Sequence, residues 1–224
     1  RNGSNEYDRE IAPGMRLWFE LIWKPVDGRF IAESQEPQGN LLVTESIANA
    51  ETGIRNLNPV HNLLQVCIHT AKHSYVRAPG FRLHLDVHRI VGTTDIDWEK
   101  FLAMVGQHKV CTIVYFSLIM PKIMFGTKVP ENVIRAVRPG WMKRKAVWNL
   151  LNRAGIFWPE QRKFSLARFI VFTALLHDTP RTIFELVLER EMAEGSDAGK
   201  QGTWSRIAGL GKRLFRLIFH HTGT

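Results

Sequence analysis

Apolar and polar residues alternate over residues 15–24 (MRLWFELIWK), a pattern typical of a strand with two unlike faces. Residues 25–28 (PVDG) supply turn chemistry, and residues 29–33 (RFIAE) are suited to return as a second strand. The pattern therefore predicts a single β-hairpin near the start of the chain, with no strand before Pro13.

From about residue 58 onward the apolar positions follow a helical period. Asn58 is suited to cap a helix with Pro59 at its first position, with an apolar stripe on one side and polar residues, His61 among them, on the other. Asp97 is placed at the start of a later helix, where a carboxylate favours the free N–H groups. The chain is predicted to be α+β, with helices starting near residues 59, 82 and 97 and continuing within 110–125, 129–139, 141–155, 162–176 and 180–192.

The formal charge of +9 and the isoelectric point near 9.9 favour acidic partners, which include nucleotides, nucleic acids and anionic membranes. Because the basic residues are spread along the chain, they give no strong nucleic-acid signal. The longest apolar run, residues 110–120, is shorter than the roughly 20 residues that span a bilayer. Cys67 and Cys111 lie in apolar helical patterns, and with no signal peptide in the sequence we expect free thiols in the cytoplasm.

Residues 193–203 form a linker of small residues, after which residues 204–221 separate into an apolar side and a basic side. Such a basic amphipathic helix is suited to an anionic membrane surface or to a protein partner. The alternative is a terminal helix that packs on its own domain.

Four histidines in the first two predicted helices have the spacing of metal ligands. His69 and His73 are one helical turn apart, and His84 and His88 repeat that spacing on the next helix. Together the two pairs are a candidate four-histidine metal site. The alternative is that they are ordinary helix residues, since no Glu stands between His69 and His73 to act as a base.

Two basic residues and one carboxylate are further candidates for binding chemistry. Lys72 and Arg82 suit contacts with phosphate oxygens, although a solvated helix face explains them equally well. Glu20 lies in the middle of the predicted strand, between Trp18 and Ile22. It is either an exposed edge-strand charge or a metal ligand held on a rigid element.

Several longer motifs, taken in order, resemble the uncharacterised bacterial nucleotidyltransferase family. The resemblance covers about residues 15–190 and is strongest over 57–130 and 163–178. It rests on the motifs LLQVCIHTAKHSY, PGFRLHLDVHRIV, IDWEKFL, VYFSLIMPKIMFGTKVP and KFSLARFIVFTALLHD.

The resemblance implies transfer of a nucleotidyl group from a nucleoside triphosphate to an unknown acceptor, with dependence on Mg²⁺. Glu20 falls where the family has its third metal-binding carboxylate. On the same basis we expect the phosphate or acceptor side to be lined by His69, Lys72, His73, Arg82 and Asp86. The alternative for Asp86 is a surface ion pair with Arg89, which follows it at helical spacing. The resemblance also implies three regions: part of a nucleotidyltransferase core (1–56), a helical domain (57–192), and a linker with the basic helix (193–224).

One feature of the family pattern is missing from these residues. No Gly-Ser turn followed by an Asp-x-Asp strand is present, because Gly3-Ser4 is followed only by Asp8. We therefore expect the chain to be the C-terminal portion of a longer enzyme and to be inactive alone. The alternative function is a non-catalytic helical module that binds a protein partner or an anionic membrane surface.

Overall fold

The computed structural model describes residues 4–22, 31–35, 37–74, 81–154 and 166–185, and it confirms the predicted α+β class. The strands come first and the long helices follow. Their bounds are β1 (Ser4–Ala12), β2 (Met15–Ile22), α1 (Gly39–Thr44), β3 (Ile47–Ala48), β4 (Arg55–Asn56), α2 (Pro59–Ser74), α3 (Phe81–Thr93), α4 (Trp98–Gln107), α5 (Cys111–Phe125), α6 (Glu131–Ala136), α7 (Trp141–Ala154) and α8 (Leu166–Leu176). A further helical segment covers residues 180–185.

The predicted strand at residues 15–24 is confirmed as β2, but its predicted partner was wrong. β2 pairs antiparallel with β1, so a strand does precede Pro13, and the two strands are joined through Pro13 and Gly14. Gly14 has a φ of 75°, which the turn requires and which glycine adopts without strain.

The expected return strand at residues 29–33 is not observed in its described part, residues 31–33, where the chain packs into the core instead. Ile31 and Ala32 are fully buried, and Ile31 joins the hydrophobic core of the helices. The Ala32 amide donates to Oε1 of Gln35 (3.1 Å), which closes a 3₁₀ turn at Glu33–Gln35. A second small sheet, β3 paired with β4, was not predicted.

The predicted helix starts are confirmed by their capping bonds. Oδ1 of Asn58 accepts from the amide of His61 (2.9 Å), and Oδ1 of Asp97 accepts from the amide of Lys100 (2.9 Å). Each side chain satisfies an N–H group that has no partner within its helix. Asn58 and Asp97 therefore determine where α2 and α4 begin.

The core lies among α2, α3, α4 and α5, with α5 at its centre. α2 packs against α3, α4 and α5, and α3 also packs against α5. α5 is buried on nearly every side, as its continuous apolar sequence predicts. Fully buried side chains at the centre include Leu63, Leu64, Ile68, Phe101, Ile113, Phe116 and Leu118.

The boundaries of the three predicted regions stay a prediction. β1 to β4 all lie within residues 4–56, and α2 to α8 lie within residues 59–176. The predicted linker and basic helix, residues 193–224, lie outside the described residues.

Candidate functional site

The β1–β2 hairpin brings acidic positions together on one face. Its register pairs Glu6 with Glu20 and Asp8 with Trp18, so these four positions share a face. Residues directly opposite in an antiparallel pair have Cβ atoms about 5 Å apart. The backbone therefore places a second carboxylate residue next to position 20, which the sequence pattern did not predict.

The other acidic residues of the hairpin make contacts within it. Asp8 forms an exposed ion pair with Arg16 (2.8 Å), and Oε1 of Glu10 accepts from the amide of Gly14 (3.3 Å). Both contacts lie toward the turn, whereas the Glu6–Glu20 pair lies toward the other end. Asp8 and Glu10 therefore have their own local partners.

The predicted phosphate-side residues lie on α2 and α3, two helices that pack against each other. His69 is half-buried on α2, while Arg82 is exposed and Asp86 half-buried on α3. Lys72 and His73 belong to α2, but their side chains lie outside the described residues. Convergence of these residues with Glu20 stays a prediction.

The four-histidine metal site finds no support in the described side chains. Among them, no group of three His, Cys, Asp or Glu residues could hold a metal ion, which excludes a site built from His69, His84 and His88. His84 is fully buried, and Nδ1 of His88 lies 2.9 Å from Oγ1 of Thr127. The His88 ring also packs on Phe125, with centroids 5.4 Å apart, so the packing of the core explains it.

His61, predicted on the polar side of α2, is instead buried, with only 1% of its surface exposed. Its Nε2 lies 3.7 Å from Oε2 of Glu45, beyond hydrogen-bond distance. That carboxylate oxygen accepts from Nζ of Lys100 (2.6 Å) and Nδ2 of Asn58 (3.0 Å). Burial lowers the pKa of His61, while the Glu45 carboxylate opposes that shift. The segment after α1 thereby covers a ring that helical periodicity assigned to solvent.

Asp178 holds the start of α5, a role that the sequence pattern did not identify. Its carboxylate accepts from the amides of Cys111 (2.6 Å) and Thr112 (2.9 Å) and from the Thr112 hydroxyl (2.6 Å). A carboxylate at the N-terminus of a helix satisfies free N–H groups and interacts favourably with the helix dipole. Asp178 is the last residue of the motif KFSLARFIVFTALLHD, and its partners lie 66 and 67 residues away.

Lys143 lies beside this cap, in a cavity of about 500 Å³. Its Nζ donates to the carbonyl of His177 (2.6 Å) and, at 3.4 Å, to the Thr112 hydroxyl. Burial lowers the pKa of Lys143, and the Asp178 carboxylate opposes that shift. The lining residues are Cys111, Thr112, Ala136, Val137, Arg138, Pro139, Gly140, Lys143 and Asp178.

Both cysteines are free thiols, as predicted. Burial raises the pKa of Cys67 far above its usual range, and burial together with the Asp178 carboxylate raises the pKa of Cys111 to about 11. Because the thiolate is the nucleophilic form, neither thiol is activated for chemistry near pH 7.

Comparison with protein families gave a match that covers the first half of the chain. A family model described as uncharacterised nucleotidyltransferase matches residues 1–126, which is more than half of the 224-residue chain. Comparison with curated proteins and with solved structures gave no match. Within the described ranges, every helix is too short or too polar to cross a bilayer.

Proposed function

Because this chain belongs to the uncharacterised nucleotidyltransferase family, we propose that it takes part in metal-dependent transfer of a nucleotidyl group from a nucleoside triphosphate. In such a transfer the acceptor hydroxyl oxygen bonds to the α-phosphorus and loses its proton. The bond from the α-phosphorus to the pyrophosphate oxygen breaks, and pyrophosphate leaves. The observation that carries the proposal is the position of Glu20 in β2, directly opposite Glu6.

The two glutamate positions fit a magnesium site by their chemistry. Mg²⁺ prefers carboxylate oxygens and is usually held by one or two of them together with water and substrate phosphates. Two like charges directly opposite on paired strands destabilise the pair unless a cation offsets them. Glu20 would hold the metal with Glu6 beside it, and Mg²⁺ when bound would offset the charge of the triphosphate.

The residues of α2 and α3 are proposed to bind the phosphate or acceptor side. Arg82 is exposed on α3, and a guanidinium pairs with two phosphate oxygens at once. Asp86 lies one helical turn from Arg82 and would orient it. On the adjacent α2, His69, Lys72 and His73 would supply further N–H donors.

Calorimetric titration of the whole chain with each nucleoside triphosphate, with Mg²⁺ and with EDTA, tests the binding step. We expect affinity that requires Mg²⁺ and that falls at least tenfold in Glu20→Gln. Glu10→Gln, on the same strand pair but with its own partner at Gly14, is the matched control and should bind normally. Equal binding with and without Mg²⁺ would contradict the metal role.

The chemical step is distinguished from phosphoryl transfer by the position of a ³²P label. Nucleotidyl transfer moves label from the α-phosphate to the acceptor and leaves the γ-label on pyrophosphate. Movement of the γ-label alone would identify a kinase and would contradict the proposed function.

A further inference from the structure

The beginning of α7 places two large apolar side chains in solvent among basic residues. Trp141 is 64% exposed and Met142 is 75% exposed. The α7 sequence, WMKRKAVWNLLNRA, contains four basic residues and no acidic one. We define the α7 surface as Arg138, Trp141, Met142, Lys143, Arg144 and Lys145.

The indole of Trp141 is fixed from one side and open to a ligand. Nζ of Lys145 lies 5.2 Å from the centroid of the ring, a cation–π contact that orients it. Most of the ring surface remains in solvent. An exposed, oriented indole beside cations is a platform on which a nucleobase stacks, since every base has a π-face.

The cavity lined by Lys143 and Arg138 offers positive charge to a phosphate. An ammonium group has three protons, and Lys143 uses two of them on His177 and Thr112, which leaves one for an anion. Arg138 also lines the cavity and is exposed. The carboxylate of Asp178 accepts from three donors at the start of α5 and also offsets part of the charge of Lys143, so Arg138 adds positive charge that the cavity needs for a phosphate.

Among the described residues, the cations of the α7 surface outnumber the acids near them, which are Asp178 beside Lys143 and Glu131 near Arg138. Within the described part of the chain, Arg138, Arg144 and Lys145 lie outside ion-pair distance of any Asp or Glu. Unpaired cations around an aromatic platform attract polyanions and release their counterions on binding.

We propose that the α7 surface binds single-stranded nucleic acid, with a base stacked on Trp141 and phosphates at Lys143, Arg138 and Lys145. A bilayer fits less well, because half-buried Lys143 lies in a recess that a flat lipid surface does not enter. The proposal concerns binding and does not depend on the metal role of Glu20.

Fluorescence anisotropy of a fluorescein-labelled 20-nucleotide single strand, as DNA and as RNA, tests the proposal on the whole chain over a series of salt concentrations. Trp141→Ala should weaken binding about fivefold or more, and Trp141→Phe should retain most of the affinity. Lys145→Ala should lower the slope of log affinity against log salt by about 0.7. Matched controls are Ile123→Ala, an equally exposed apolar residue on α5, and Arg89→Ala, an exposed basic residue on α3.

Sedimentation with vesicles of phosphatidylcholine and phosphatidylserine separates this surface from a membrane surface. We expect Trp141→Ala to leave sedimentation of the protein with the vesicles unchanged, and an excess of vesicles not to displace the oligonucleotide. Equal oligonucleotide affinity of Trp141→Ala and wild type would overturn the proposal. The proposal would also be overturned if the wild type bound no oligonucleotide and Trp141→Ala lost binding to vesicles. Neither result bears on magnesium-dependent nucleotide binding by Glu20, which the calorimetric titration tests separately.

Discussion

Strand β2 of the hairpin and the helical core both follow from regular apolar patterns, yet the two patterns end in different environments. In α2 and α5 the apolar residues are covered by neighbouring helices, and most of them are fully buried. In the hairpin, Tyr7 and Leu17 remain about half exposed, although they lie on the face opposite the acidic positions. An apolar pattern therefore predicts which face is apolar, while stabilisation depends on what covers it.

The largest expected effect contrasts a core side chain with a hairpin side chain. Phe116 is fully buried and packs edge-on against Tyr115 and Trp148, at centroid distances of 5.1 and 5.6 Å. Phe116→Ala should lower the free energy of unfolding by about 3–5 kcal/mol, because it removes buried area and leaves a cavity. Leu17→Ala should change it by less than about 0.5 kcal/mol. Urea unfolding followed by circular dichroism measures both, and equal losses would break the comparison.

The next effect concerns the long-range cap of the core. Asp178→Ala removes three hydrogen bonds at the start of α5 and leaves half-buried Lys143 without its nearby carboxylate. We expect a loss of about 2–3 kcal/mol in the same unfolding experiment. Asp95→Ala, an exposed carboxylate before α4, is the control and should change stability little. A loss no greater than that of the control would show that the cap does not hold α5.

The core, unlike the hairpin, should also lose stability in mild acid. Burial lowers the pKa of His61 and of His108 below the ordinary value of 6.5. Below pH 6.5 these two histidines are therefore more protonated in the unfolded chain than in the folded protein. The free energy of unfolding falls as the pH falls. Each histidine contributes up to about 1.4 kcal/mol per pH unit, until the pH reaches its folded pKa.

Urea unfolding at several pH values between 7.5 and 5.5 measures this slope. His61→Gln should reduce the slope of the free energy of unfolding against pH, whatever the variant does to stability at pH 7.5. His108→Gln should do the same. A slope unchanged in both variants would contradict the assignment. The carboxylate of Glu45, whose pKa is lowered mainly by its hydrogen bond with Lys100, contributes only at lower pH.

The smallest effect returns to the hairpin. Arg16 and Asp8 form an ion pair with side chains 69% and 54% exposed, so water and salt screen it. Arg16→Ala should change the free energy of unfolding by well under 1 kcal/mol, with a smaller effect at 1 M salt. A loss comparable to that of Asp178→Ala would mean that the hairpin is more tightly coupled to the fold than its contacts indicate.

Much of the helical fold was predictable because its signals are local. Asn58 and Asp97 mark helix starts through side-chain hydrogen bonds to residues three positions away. The continuous apolar run of α5 predicts a buried helix. β1 was missed because Glu6, Asp8 and Glu10 make its sequence appear polar, and only pairing with β2 makes it a strand.

The candidate sites were predictable only in part, because the unpredicted contacts join distant residues. The strand position of Glu20 follows from alternation, but its pairing with position 6 depends on register. Asp178 meets Thr112 across 66 residues, and no local pattern encodes such a contact. His61 was assigned to solvent because helical periodicity does not show that the segment around Glu45 covers it.

Binding of Mn²⁺, a spectroscopic substitute for Mg²⁺, is the most direct test of the metal role that we propose for Glu20. Titration of the whole chain with Mn²⁺, followed by electron paramagnetic resonance, counts bound and free ions. We predict one site that Glu20→Gln weakens at least tenfold, that Glu6→Gln also weakens, and that Glu10→Gln leaves unchanged. Equal Mn²⁺ binding by wild type and Glu20→Gln would contradict the account.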